Sequence, residues 1–278
     1  MTSLHDTLLP VGVATHPPSP ASMEVIGCNA GSPQTTGAAS GYLLKVADTT
    51  ILVDCGPGVV AYLAKTGRLD DLDAVIVTHE HFDHCGDLMA LAYHRAFPVP
   101  QRPLPLFAPT SLRRTLAAFD EVFGIPTLDE LRAPLHSQLP LRAVEIGQSF
   151  SVGPVQVDTL AAAHPVPTMS LRFPQLNLVY TADTALTLEL IDFSRGCVLL
   201  AEATYVTGEN RDFSAHGHMS GVEAGLLAHR AESPLLVLTH FSNPSDGGAT
   251  LLESAQQFGG LIARSSPGLL LPVGRMAL

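Results

Sequence analysis

Between Val77 and Asp87 the chain reads VTHEHFDHCGD. His79, His81, Asp83 and His84 fall within six positions, directly after the apolar run AVIV. Neutral imidazole nitrogens and carboxylate oxygens suit zinc, and no thiolate is needed. Alternation puts His79 and His81 on one side of the chain. Asp83 and His84 lie a turn further on, where they can face a second ion. Other polar residues sit in the same setting, at the end of an apolar run. Asp54 follows ILV, His164 follows VDTLAAA, Asp183 follows LVYTA, and His240 follows LLVLT. Strand ends hand a rigid sheet over to loops, so side chains there can converge.

The elements that must position these residues are legible as alternating strand and helix patterns. MEVIGCNAG reads as a strand that runs into a glycine loop, GSPQTTGAASG. GYLLKV and TTILVDCG follow as strands joined by a turn at Ala47–Asp48. PGVVAYLAKTG carries helix punctuation at Pro57 and Gly67. LDAVIVTH is a nearly continuous apolar strand, as expected where both faces are covered. GDLMALAYHRAF and SLRRTLAAFDEVF have helical spacing, and the Pro-rich 97–109 segment between them reads as a stiff surface connector. Further strands are expected at LRAVEI, SFSVGPVQVDTLAAA, MSLRF, LNLVYTAD, GCVLLAEA, LLVLTH and LLLPV. Helices are expected at TALTLELI, SGVEAGLLAHRA and near TLLESAQQF. Two strand-rich halves with covering helices predict a layered α/β sandwich.

The whole-chain balance narrows the function classes. With 278 residues the chain can bury a core without disulfides. The four cysteines form no CxxC pair, so reduced buried thiols are expected. A net charge of −11, with only 15 Lys and Arg, argues against a large nucleic-acid surface. The N-terminus lacks the basic and apolar regions of a signal peptide, and no run approaches a membrane span. A soluble cytoplasmic protein with no membrane partner is the expectation. Residues 1–22, rich in Pro, Ser and Thr, are expected to form a flexible extension, with one domain over 23–278.

The order Asp54, His79/His81/Asp83/His84, His164, Asp183, His240 resembles the five motifs of the metallo-β-lactamase superfamily. The resemblance extends over nearly everything from Met23 onward. It implies an αββα four-layer sandwich with a two-metal site along one edge. It implies that His79, His81 and His164 hold one zinc, that Asp83, His84 and His240 hold a second, and that Asp183 bridges them. Asp54 then orients the metal loop from behind. Manganese accepts similar ligands. Two such ions make a bridging hydroxide available near neutral pH and clamp a phosphoryl group.

Two further stretches point to a branch. LLAEATY places Glu202 at a strand end, and AHGHMSGVEAG places His218 before a helix with Ser220 as its cap. Both resemble motifs of the RNase Z-like phosphodiesterases, in which such a Glu–His pair assists protonation of the leaving group. Asp83, His218 and Glu202 are therefore the candidate catalytic residues. Arg172 and Arg211 are weaker candidates for phosphate contact. Some features depart from a tRNA-processing enzyme. Only residues 165–182 separate His164 from Asp183, no basic arm is present, and the first loop lacks an arginine after its proline. The glycine loop and GHMSGVEAG are more similar to small armless relatives, including atypical class II cyclic-nucleotide phosphodiesterases of bacteria.

The expected activity is hydrolysis of a small or cyclic phosphodiester such as 3′,5′-cyclic AMP, with a metal-bridging hydroxide as nucleophile. A tRNA 3′-end endoribonuclease is the alternative, and an ester, thioester or lactam hydrolase a more distant one. GHMSG is not G-x-S-x-G, so a serine nucleophile is not expected. The resemblance also implies a homodimer.

Overall fold

The computed structural model describes residues 21–125, 127–207, 216–243, 247–271 and 273. Two sheets face each other. The first is built from β1 (Ala21–Asn29), β2 (Ala38–Ala39), β3 (Gly41–Val46), β4 (Thr49–Val53), β5 (Ala74–Ile76), β6 (Leu106–Pro109), β7 (Leu141–Val144) and β15 (Leu270–Leu271), in the order β15-β1-β3-β4-β5-β6-β7, with β2 alongside β1. The second comprises β8 (Phe150–Val152), β9 (Val155–Ala161), β10 (Met169–Phe173), β11 (Leu178–Tyr180), β12 (Val198–Glu202), β13 (Leu235–Thr239) and β14 (Leu261–Arg264), in the order β14-β13-β12-β11-β10-β9-β8.

Period-two alternation explains how the first sheet carries two cores. Val25, Ile51, Val53 and Ile76 point towards the second sheet. Their neighbours Ile26, Leu52 and Val75 point the other way. There they meet Leu63 of α1 (Val59–Lys65), Leu91 of α3 (Leu88–Ala96), and Leu112 and Leu116 of α4 (Leu112–Phe123). The single turn between α1 and α3, α2 (Phe82–Cys85), lies in the histidine motif. On the second sheet β11, β12 and β13 are buried along their whole length. Their outer side is covered by α5 (Leu188–Phe193) and α6 (Gly221–Arg230), through Leu190, Ile191, Ala224 and Leu227. α7 (Gly247–Gln257) packs on α6 and β14. The layer order is helix, sheet, sheet, helix, as expected.

Several boundaries differ from the sequence reading. β1 begins at Ala21 rather than Met23, because Ala21 and Ser22 extend the hairpin by pairing with Val46 and Lys45. Residues 1–20 of the anticipated extension lie outside the described residues. The end of the Pro-rich 97–109 segment is not a surface connector. Leu106–Pro109 forms an internal strand between β5 and β7. Proline cannot donate to a ladder, but its carbonyl accepts, and Val75 N donates to Pro105 O at 2.9 Å. β14 carries too short an apolar run to be anticipated. All four cysteines are buried and free. Among the described residues no helix is long and apolar enough to cross a membrane.

Candidate metal centre

The parallel strands β4, β5, β11, β12 and β13 all end on one edge of the sandwich, and the chemistry gathers there. Three of these strand ends use the same local device. Asp54, Ala182 and His240 adopt left-handed backbone conformations, with φ of 59°, 51° and 61°. A non-glycine residue is strained in this region, by about 1–3 kcal/mol, and such strain clusters at functional sites. Each turn swings the chain sharply off its strand and aims Asp54, Asp183 or His240 across the seam. The seam itself is stitched shut beside them. Phe241 N donates to Cys28 O and Ala30 N donates to Phe241 O, both at 3.0 Å. Tyr42 of one sheet meets Thr239 Oγ1 of the other at 2.8 Å.

Seven of the expected ligands converge in two groups. Ligand atoms of His79, His81, His164 and Asp183 lie within 4.8 Å of one another, as do those of Asp83, His84, Asp183 and His240. Asp183 belongs to both and divides its oxygens between them. Oδ2 is 3.5 Å from His79 Nε2. Oδ1 is 3.3 Å from both His84 Nε2 and His240 Nε2. The remaining close approaches are 3.0 Å between His164 Nε2 and His81 Nδ1, 3.2 Å between His84 Nε2 and His240 Nε2, and 3.2 Å between His240 Nε2 and Asp83 Oδ2.

Two ligands of a tetrahedral ion bonded at about 2.0–2.1 Å sit about 3.3 Å apart, so these spacings are those of a metal-ligand set. The buried atoms His79 Nε2 and Asp183 Oδ1 have no hydrogen-bond partner in the protein. A buried polar atom is rarely left unpaired, and a cation between the two groups satisfies both. Burial pushes His79, His81 and His164 down from the ordinary histidine range, which keeps them neutral, the form that binds metal. Burial opposes ionisation of Asp183 and Asp83. The neighbouring imidazoles of His240 and His84 outweigh it and hold both acids well below the usual carboxylate range. The residues present fit a dinuclear metal group.

Buried polar groups hold the ligands from outside. Asp54 is fully buried and accepts from Thr78 N at 2.8 Å, from Tyr180 OH at 2.9 Å and from His84 Nδ1 at 2.8 Å. His164 Nδ1 faces Gly217 O at 3.0 Å. Gly217 has φ +65°, and a Cβ there would lie 2.5 Å from Ala163 O, so only glycine brings this carbonyl so close. Asp83 Oδ2 accepts from Gly31 N at 2.6 Å, which ties the first glycine loop to the ligands. Asn29, the last residue of β1, is buried and spends its side chain on Gly37 O, Ala38 O and Thr36 Oγ1, so it braces the loop.

Glu202 and His218 stand beside the second group. His218 Nδ1 is 2.9 Å from Glu202 Oε1, and its ring stacks 5.6 Å from that of His240. Glu202 is fully buried and also accepts from Thr184 N at 2.7 Å and Met219 N at 3.1 Å. Burial disfavours a charge on His218, but the Glu202 carboxylate outweighs it and raises the pKa to about 9. The His218 side chain keeps 14% of its surface exposed, so this protonated ring is reachable from solvent. Ser220 caps α6 in a full capping box with Glu223 and fixes the loop that carries His218.

Arg172 does not join the site. It lies on β10 opposite Val179 and Asp158, at the end of that antiparallel strand away from His164, and its guanidinium donates to Phe193 O at 3.4 Å. The phosphate contact expected of it is corrected accordingly. Arg211 lies outside the described residues. His216 and His229 are exposed. Sequence reasoning missed Thr78 and Thr204, which touch His79 and His240 from behind, and Tyr180, which donates to Asp54. Thr78 and Thr204 directly adjoin the motifs, which is the only signal they carry.

The model of the Beta-lactamase superfamily domain matches residues 49–241. A probable metallo-hydrolase of Bacillus subtilis, YhfI, is 31% identical over 78% of this chain and 85% of its own length. Its crystal structure superposes with a TM-score of 0.77 at 27% identity, covering 90% of this chain and 98% of that one. A ribonuclease Z of Methanopyrus kandleri is 25% identical over 91% of this chain and 98% of its own length. The short form of human tRNase Z shares the fold, with a TM-score of 0.69 at 20% identity over 91% of this chain and 100% of that one.

Proposed function

The chain belongs to the metallo-β-lactamase superfamily, in its RNase Z-like branch, and is a metal-dependent hydrolase; from that premise we propose that it cleaves a small or cyclic nucleotide phosphodiester, with 3′,5′-cyclic AMP as the first candidate. The carrying observation is the Glu202–His218 pair beside the second ligand group. An alkoxide expelled from phosphorus needs a proton, and His218 is a protonated, reachable acid at that position.

We assign two zinc ions to the centre, with His79, His81, His164 and Asp183 around one and Asp83, His84, Asp183 and His240 around the other. Manganese suits the same ligands. When bound, such ions supply Lewis acidity and lower the pKa of water. The chain does the rest. Asp183 holds the two ligand groups in register through its separate oxygens. Asp83, fixed by Gly31 N, offers its carboxylate to the incoming water. His218 gives its Nε2 proton to the leaving oxygen. Glu202 keeps the ring oriented through Nδ1 and stabilises its charge. A thioester expels a thiolate, which leaves without a proton, so the pair has no task there.

The test is AMP release from 3′,5′-cyclic AMP by purified zinc- or manganese-loaded protein, with Asp183→Ala as the blank. Metal-dependent turnover by the wild type that Asp183→Ala abolishes is the expected result. Absence of turnover with metal bound would sink the cyclic-nucleotide reading. The second reading is tRNA 3′-end cleavage, favoured by the 25% identity to a ribonuclease Z. A net charge of −11 weighs against it. It predicts precursor-tRNA cleavage with steep salt dependence.

A further inference from the structure

We propose that Thr78 and Thr204 are positioning residues that set the direction of two buried hydrogen-bond relays, and thereby force His79 and His240 to present Nε2, unprotonated, to the metals. The inference rests on the metal-ligand reading above and not on any choice of substrate.

Each half of the chain supplies one fully buried carboxylate that serves two histidines. Asp54 holds His84 directly, at 2.8 Å, and reaches His79 through Thr78. Glu202 holds His218 directly, at 2.9 Å, and reaches His240 through Thr204. The intermediate hydroxyls are buried, with Thr78 at 0% and Thr204 at 5% exposure, so bulk water does not compete for them.

A threonine hydroxyl has one proton to give and two lone pairs to offer. Thr78 Oγ1 lies 3.0 and 3.1 Å from the two oxygens of Asp54. Thr204 Oγ1 lies 2.6 Å from Glu202 Oε2, a short charge-assisted bond. An ionised carboxylate only accepts. The other groups aimed at these carboxylates include Thr78 N and Tyr180 OH on Asp54, and Thr184 N and Met219 N on Glu202. That surround of donors is what an ionised acid requires. Each hydroxyl proton is thus committed to its acid, and only a lone pair faces the histidine. His79 Nδ1, at 3.1 Å, and His240 Nδ1, at 2.9 Å, must then be the donors. An imidazole that binds a metal is neutral and carries one proton. With it fixed on Nδ1, Nε2 is bare, and it is Nε2 that points at Asp183 in both residues.

An inverted hydroxyl would leave Nε2–H aimed at the cation and block the bond. The relay through Thr204 also makes Glu202 common to a metal ligand and to the candidate acid His218.

The test uses Thr78→Val, Thr78→Ser, Thr204→Val and Thr204→Ser in the full chain. Zinc affinity is measured by competition with a chromophoric chelator, and folding by circular dichroism. Valine keeps the shape and removes the hydroxyl, and it is expected to weaken zinc binding about 10–100-fold. Serine restores the hydroxyl and is expected to stay within about 3-fold of wild type. A second readout is independent of the variants: proton and nitrogen NMR of the zinc-loaded wild type should show Nδ1–H protons on His79 and His240 that are hydrogen-bonded and slow to exchange. Valine variants that bind zinc like wild type, or wild-type Nδ1–H protons that exchange freely, would overturn the proposal. If valine prevents folding, the ring-nitrogen spectra still decide it. Wild-type protein that binds no zinc at all would count against the metal reading itself.

Discussion

His218 is the residue on which the phosphodiester reading turns. Its pKa is raised to about 9, so the acid form is present at neutral pH and is lost as pH rises through that value. kcat/KM of the wild type should therefore fall on the alkaline side, as the acid form of His218 is lost. His218→Ala should keep its metal, lose about 10²–10⁴-fold in rate, and lose that alkaline limb. A pH–rate profile alongside metal analysis separates this from a structural role. An unchanged alkaline limb in the variant would assign it to some other group. Asp54, His164, Asp183 and His240 could be recognised from sequence because each closes an apolar run, and His79, His81, Asp83 and His84 because they cluster within six positions after one. Thr78 and Thr204 could not, because a threonine beside a motif looks like any other core threonine until the direction of its proton is known.

At the scale of elements, the strand ends place the ligands and α6 steadies the acid. Ser220 Oγ accepts from Glu223 N at 3.3 Å, and Glu223 Oε2 accepts from Ser220 N at 2.8 Å. Ser220→Ala removes one side of this box and should cost about 1 kcal/mol in urea unfolding. His218 lies two residues upstream, so the variant should lower kcat more than it raises KM. A loss of stability with kcat untouched would show that the cap does not reach the acid. Most elements were legible because the buried runs are long and apolar. β6 was masked by Pro103, Pro105 and Pro109, whose composition reads as connector although their carbonyls serve the sheet. Arg172 was misjudged because the sequence places it soon after His164, whereas β10 carries it to the opposite end of the sheet.

At the scale of the molecule, the two-sheet seam closes over Asp54, Asp83, Asp183 and Glu202, all buried. Cations binding there stabilise only the folded state. Binding at about 1,000 times Kd adds about 4 kcal/mol. Stripping the metal with a chelator should therefore lower Tm by about 5–15 °C, read by calorimetry and reversed by added zinc. A chelator-treated protein with an unchanged Tm would show that the centre carries no stabilising ion.

The order of the ligands along the chain has a further consequence. His79 to His84 come from the first sheet, whereas His164, Asp183 and His240 follow from the second, and Phe241 is stitched to Cys28 and Ala30. During synthesis the early ligands leave the ribosome long before His240 exists. The group of His79, His81, His164 and Asp183 has all its residues once Asp183 has emerged, whereas the group that includes His240 must wait for the end of β13. The two halves of the centre therefore become available in chain order, one before the other.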